Sequence, residues 1–203
     1  MRDPAFVRSQ LEGLRLLHVA PINALVDELR GWGRGWVPYV APIYGGVDAR
    51  MLSVLRDPGR GTNDASDGSG FLCLENDDAT AEQFANLLDE AGISPAEMVP
   101  WNAYPWFINR RPKTGELDAG IEPLRRLVEL LPRLRVVMLN GTDAQTAWRR
   151  FARRHAGTVQ SLVVIATYHT SRQALWTSDP AVREERLRKL RGAFAEARNT
   201  LNS

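Results

Sequence analysis

From residue 51 onward the chain alternates short apolar runs with longer segments whose apolar positions recur every three or four residues. The first pattern suits a strand buried on both faces, the second a helix with one buried stripe. The runs predict four strands, over 51–55, 97–101, 135–139 and 161–167. The segments between and after them predict helices near 79–91, 119–131 and 143–155, and a last helix over about 180–200. Strands and helices in regular alternation specify βαβ units, hence an α/β fold on a mainly parallel sheet.

Upstream of this region the pattern differs. Residues 5–30 carry Phe6, Leu14, Leu17, Leu25, Val26 and Leu29 at helical spacing, and Pro21 interrupts them, so two helical pieces are expected. Glycines and aromatics then alternate without period from Gly31 to Tyr39, and Pro42 and the Gly45-Gly46 pair follow. This reads as a loop whose aromatics pack on the sheet. A second loop, from Gly59 to Gly70, is rich in Gly, Asp, Ser and Asn and is expected on the surface.

A length of 203 residues with 44% hydrophobic and 25% charged content fits one domain spanning 1–203, with 1–45 as a helical lead-in and aromatic/glycine loop. The formal net charge is only +2, and Lys113 and Lys189 are the only lysines. Arginine forks match phosphate geometry, which suits a nucleic-acid partner, although a GC-rich genome accounts for the same usage. Cys73 is the single cysteine, which excludes an intramolecular disulfide and a cluster held by several cysteines. No apolar signal segment follows Met1 and no run is long enough to span a bilayer. The expectation is a soluble cytoplasmic monomer without membrane attachment.

In an open parallel sheet, ligands bind outside the carboxyl ends of the strands, so the residues just after each run are the first candidates for chemistry. They are Arg56-Asp57-Pro58-Gly59, Asn102-Ala103-Tyr104-Pro105-Trp106, Asn140-Gly141-Thr142 and Tyr168-His169-Thr170-Ser171. An acid, an amide and an imidazole thus meet on one rim. Each also has a plain structural reading: Asp57 and Asn102 as turn residues, His169 as a strand-end group bonding backbone, Thr170 or Ser171 as a cap. Their shared position favours the chemical reading. No Gly-x-Ser-x-Gly elbow or Walker A loop is present, and Gly31-x-Gly33-x-Gly35 neither follows a strand nor has dinucleotide spacing. His18, His155 and His169 lack paired ligand spacing, so no metal is expected. Cys73 lies in the run Phe71-Leu72-Cys73-Leu74 and reads as a buried small hydrophobe more than as a nucleophile partnered by His169.

These segments resemble, in order over about 40–175, the motifs of the uracil-DNA glycosylase superfamily. Leu55-Arg56-Asp57-Pro58-Gly59 is similar to the first motif, whose acid serves the water or the sugar cation. Phe71 resembles the aromatic that stacks on the extruded base, and Trp101-Asn102-Ala103-Tyr104-Pro105-Trp106 the strand-end asparagine that reads uracil. Asn109-Arg110-Arg111-Pro112 is similar to a following Arg-Pro segment, and Tyr168-His169-Thr170-Ser171 to a His-Pro-Ser motif with Thr170 in place of proline. Leu55 stands where a glycine is usual, and Arg56 where some branches carry the acid.

The resemblance implies a three-layer α/β/α fold with a central four-stranded sheet, and a DNA glycosylase that flips out and excises uracil or a related deaminated base. It implies catalytic roles for Asp57 and His169, base binding by Phe71 and Asn102, DNA contacts by Arg110, Arg111 and Arg172, and no cofactor. The altered motifs also permit a catalytically weak DNA- or base-binding protein on the same fold. The rim alone would suit an enzyme acting on a free nucleoside or nucleotide.

Overall fold

The computed structural model describes residues 3–63, 68–76 and 79–203. Its centre is a four-stranded sheet built from β2 (Met51–Leu55), β4 (Met98–Asn102), β5 (Val136–Asn140) and β6 (Val163–Thr167), in the order β4-β2-β5-β6 with every neighbouring pair parallel. Strands β4 and β5 are buried along their whole length, which is why they read as unbroken apolar runs. At the edge, β6 leaves Val163 and Val164 39% and 41% exposed.

Two groups of helices cover the sheet. α6 (Thr142–Arg154) packs on β5 and β2, with α4 (Thr114–Ala119) and α5 (Ile121–Glu129) beside it, and α2 (Ala20–Arg30) against α5. α9 (Pro180–Asn202) packs on β6 and β5, with α3 (Ala79–Ala91) and α8 (Arg172–Leu175) against it. α1 (Pro4–Glu12) leads the chain, and the short α7 (Ala156–Val159) links α6 to β6. Among the described residues no helix is long and apolar enough to cross a membrane.

Several boundaries differ from the sequence pattern for identifiable reasons. Glu97 closes a 3-10 turn, Pro95–Glu97, capped by Ser94, so β4 starts one residue later and Asn102 is its last residue, opposite Leu55. Asn140 likewise ends β5, opposite Thr167. The helix expected over 119–131 is α5, and α4, which the pattern did not predict, precedes it and meets it at Gly120. A Cβ there would lie 1.8 Å from the Ala103 carbonyl oxygen, so only glycine lets the chain pass directly behind the end of β4. Pro21 falls in the first turn of α2, where its missing N–H costs nothing, and therefore starts that helix.

The stretch read as an aromatic loop contains β1 (Tyr39–Val40), which pairs in parallel with β3 (Phe71–Leu72). Asn23, fully buried on α2, holds β1 by accepting from the Val40 amide at 2.9 Å and donating to the Val40 carbonyl at 3.2 Å. Within the segment 59–70, residues 64–67 lie outside the described residues. Of the rest, Thr62 and Asn63 are buried, contrary to the surface placement expected for the whole loop.

Candidate active site

Four parallel strands that run the same way bring their carboxyl ends to one rim, and a cavity of about 1640 Å³ opens there. Asp57, Asn102 and His169 all line it. The three groups that follow three different strands therefore line one cavity, while the plain readings hold in part, since His169 bonds the Ser171 backbone and Ser171 caps α8.

Asp57 follows β2 by two residues, and its side chain is only 3% exposed. Burial pushes its carboxyl above the ordinary carboxylate range, the Arg56 guanidinium opposes that, and the negative charge of Asp143 adds to it. Arg56 Nε donates to Asp57 Oδ1. Asp57 is thus a carboxyl whose charged form is disfavoured where it stands.

Asn102 is 3% exposed at the end of β4, and its Oδ1 is buried with no hydrogen-bond partner among the described residues. The backbone around it is pinned: the Ala103 amide donates to the Leu55 carbonyl at 2.8 Å and the Tyr104 amide to the Arg56 carbonyl at 3.0 Å. A buried acceptor left without a partner costs about 1–3 kcal/mol. Oδ1 of Asn140, on the same cavity, is also unpartnered, although its Nδ2 donates to Ser53 Oγ at 2.9 Å and to the Val54 carbonyl at 3.2 Å.

His169 stands two residues beyond β6. The Ser171 backbone amide donates to its Nδ1 at 3.0 Å. A backbone N–H can only donate, so Nδ1 is the acceptor and the proton of the neutral ring is on Nε2. Beside the His169 backbone lies Gly141, at φ +91°, where an added Cβ would come 3.2 Å from the His169 Cβ. The glycine after β5 thus lets the chain pass close to the His169 backbone and Cβ.

Other expected site residues are not brought to the cavity. Phe71 is fully buried in β3 opposite Tyr39, and the cavity is lined instead by its successors Leu72, Cys73 and Leu74. Its ring offers no open face for stacking, because strand pairing turns it into the core. Arg110 spends both terminal amino groups on Glu116, at 2.8 and 2.5 Å, and with the Lys113 amide holds that carboxyl down to about 2. Arg111 is bonded through Nε and one amino group to Asp143. Arg172 is exposed on α8, outside the cavity wall. Cys73 is buried, its thiol pushed up to about 11 by that burial, so it is a poor nucleophile.

The arginines that do line the cavity are Arg56 and Arg60. The sequence contains a signal for them, since both belong to the polar segment that leaves β2, but their side-chain directions depend on tertiary partners. Among the described residues, no group of three or more His, Cys, Asp or Glu side chains could hold a metal ion.

The model of the uracil DNA glycosylase superfamily matches residues 42–191, which include every strand of the main sheet and every cavity residue discussed above. No curated protein matches the chain. A parallel sheet whose rim gathers an acid, an amide and an imidazole in that order along the sequence, matched over this span, shows that the chain belongs to the uracil-DNA glycosylase superfamily.

Proposed function

We propose that this protein excises uracil, or a related deaminated base, from DNA by hydrolysing the N-glycosidic bond, as a step of base excision repair. Family membership supports a glycosylase-type activity on DNA. The observation that carries the finer reading is Asn102 itself, a residue of the cavity wall whose Oδ1 is buried without a partner among the described residues. An acceptor there suits the N3–H of uracil, and the amide NH₂ then suits O4. Cytosine presents an acceptor at N3 and a donor at N4, so the same amide in the same pose rejects it.

The remaining tasks divide between the other two groups. As the bond between base and sugar breaks, positive charge grows on the deoxyribose and negative charge on the base. The Asp57 carboxylate stabilises the first and orients the attacking water. The Nε2–H of His169 donates to the pyrimidine O2 as charge gathers there. The base leaves with the bonding pair, and water supplies hydroxide to the sugar and a proton to the departing base. No step requires a metal or a nucleotide cofactor.

A panel of labelled duplexes carrying uracil, hypoxanthine, xanthine or a mismatch, scored for alkali-labile abasic sites in EDTA, tests this reading. Uracil release is the expected result. Binding without release by the wild type would favour the catalytically weak alternative, and turnover of free nucleoside in preference to oligonucleotide would favour the small-molecule one.

A further inference from the structure

Most arginines near the rim are already committed. Arg110 and Arg111 bond Glu116 and Asp143, while Arg150 donates to both oxygens of Asp118. Arg56 and Arg60 differ. Each uses Nε alone: Arg56 donates through it to Asp57 Oδ1, and Arg60 to Asn109 Oδ1 at 2.9 Å. The two terminal amino groups of each have no protein partner among the described residues. Both side chains line the cavity, four residues apart on the segment that leaves β2, and Arg56 is 43% exposed. Asn109, which orients Arg60, adopts φ +50°, a left-handed conformation that asparagine tolerates better than most residues.

A guanidinium anchored at Nε presents its other edge as a fork of two donors, the geometry that fits two oxygens of one phosphate. We propose that Arg56 and Arg60 form the phosphodiester-binding site of this protein, and that Arg56 bridges a backbone phosphate of the bound strand to the Asp57 carboxylate. This rests on the reading that DNA is the substrate. It moves the phosphate contacts from Arg110 and Arg111, whose forks are closed by carboxylates, to the exit of β2. It also makes Arg56 a positioning residue. The phosphate competes for its charge while its Nε keeps the carboxylate oriented, so engagement of the strand alters Asp57 directly.

The test is the salt dependence of binding to a labelled duplex bearing a tetrahydrofuran abasic site, which cannot be cleaved at a base. Each phosphate contact contributes roughly one unit to the slope of log K against log salt. Arg56→Gln and Arg60→Gln should each lower that slope by about one unit. Arg56→Lys, which keeps the charge and guards against misfolding, should retain the slope, and Arg125→Gln, on a helix surface bonded to Glu122 and Glu129, should leave it unchanged. A second readout separates positioning from plain attraction: the acid limb of the excision profile should shift in Arg56→Gln and hold in Arg60→Gln. If the wild type binds and excises but both Gln variants keep the full slope, the proposal is overturned while the glycosylase reading stands. If the wild type neither binds nor excises, both fall.

Discussion

Asp57 and Glu97 are both enclosed carboxylates, and the protein treats them in opposite ways. For Glu97, burial pushes the carboxyl up, but the Ser94 amide and the guanidiniums of Arg50 and Arg198 outweigh it and bring it below its usual range. For Asp57 burial wins over Arg56. A raised carboxyl is more easily protonated in the folded state than in the unfolded chain, so it contributes stability at low pH that is lost as pH rises through its folded value. Asp57→Asn should therefore melt at or above the wild type at pH 7, the difference vanishing below about pH 4, while excision falls by on the order of 10² or more. Thermal melts of both proteins across pH, run beside single-turnover rates, check this; a variant that melts well below the wild type at pH 7 would make Asp57 a structural residue. Glu97→Gln should do the reverse. It should cost about 1–3 kcal/mol at pH 7, a cost that shrinks as pH falls through the depressed carboxyl of the wild type, which denaturant titration at pH 7 and in acid would measure. The residue types at the site were legible because strand ends in a parallel sheet are the places to look. The charge partners were less so: Asp143 meets Arg111 from 32 residues away, and Glu116, six residues after Arg110, is brought to it by the first turn of α4.

The elements position these residues with little slack. Gly141 caps α6 at φ +91° beside the His169 backbone, and Gly120 lets α4 and α5 turn against the Ala103 carbonyl behind Asn102. Gly141→Ala forces a side chain into a conformation that essentially only glycine adopts and crowds the His169 Cβ. A loss of about 1–3 kcal/mol is expected, together with slower excision but retained duplex binding, as urea titration and rate measurements would register. Phe71→Ala should cost about 3–5 kcal/mol of stability, because the ring is fully buried in β3; an unchanged melting temperature would return Phe71 to the cavity. The main strands and most helices were readable from periodicity to within a residue or two, since each buried run is long enough to declare itself. The pair β1 and β3 was not, being two residues each and defined by each other, and the break at Gly120 depends on a carbonyl from another element.

At the scale of the whole molecule, the sheet order β4-β2-β5-β6 gathers residues from 57, 102 and 169 around a cavity of about 1640 Å³, far larger than one base needs. In the proposed function this cavity reads a flipped uracil through Asn102 and cuts it from the sugar with Asp57 and His169. The most direct test is single-turnover excision of uracil and of hypoxanthine from matched labelled duplexes, in EDTA, by the wild type and by Asn102→Asp, which keeps the size of the side chain but removes the donor that O4 needs. The expected result is uracil release by the wild type, a loss of about 10- to 100-fold in the variant, a smaller loss on hypoxanthine, and similar binding of undamaged duplex. Uracil left intact by the wild type, or equal fractional losses on both bases, would contradict it.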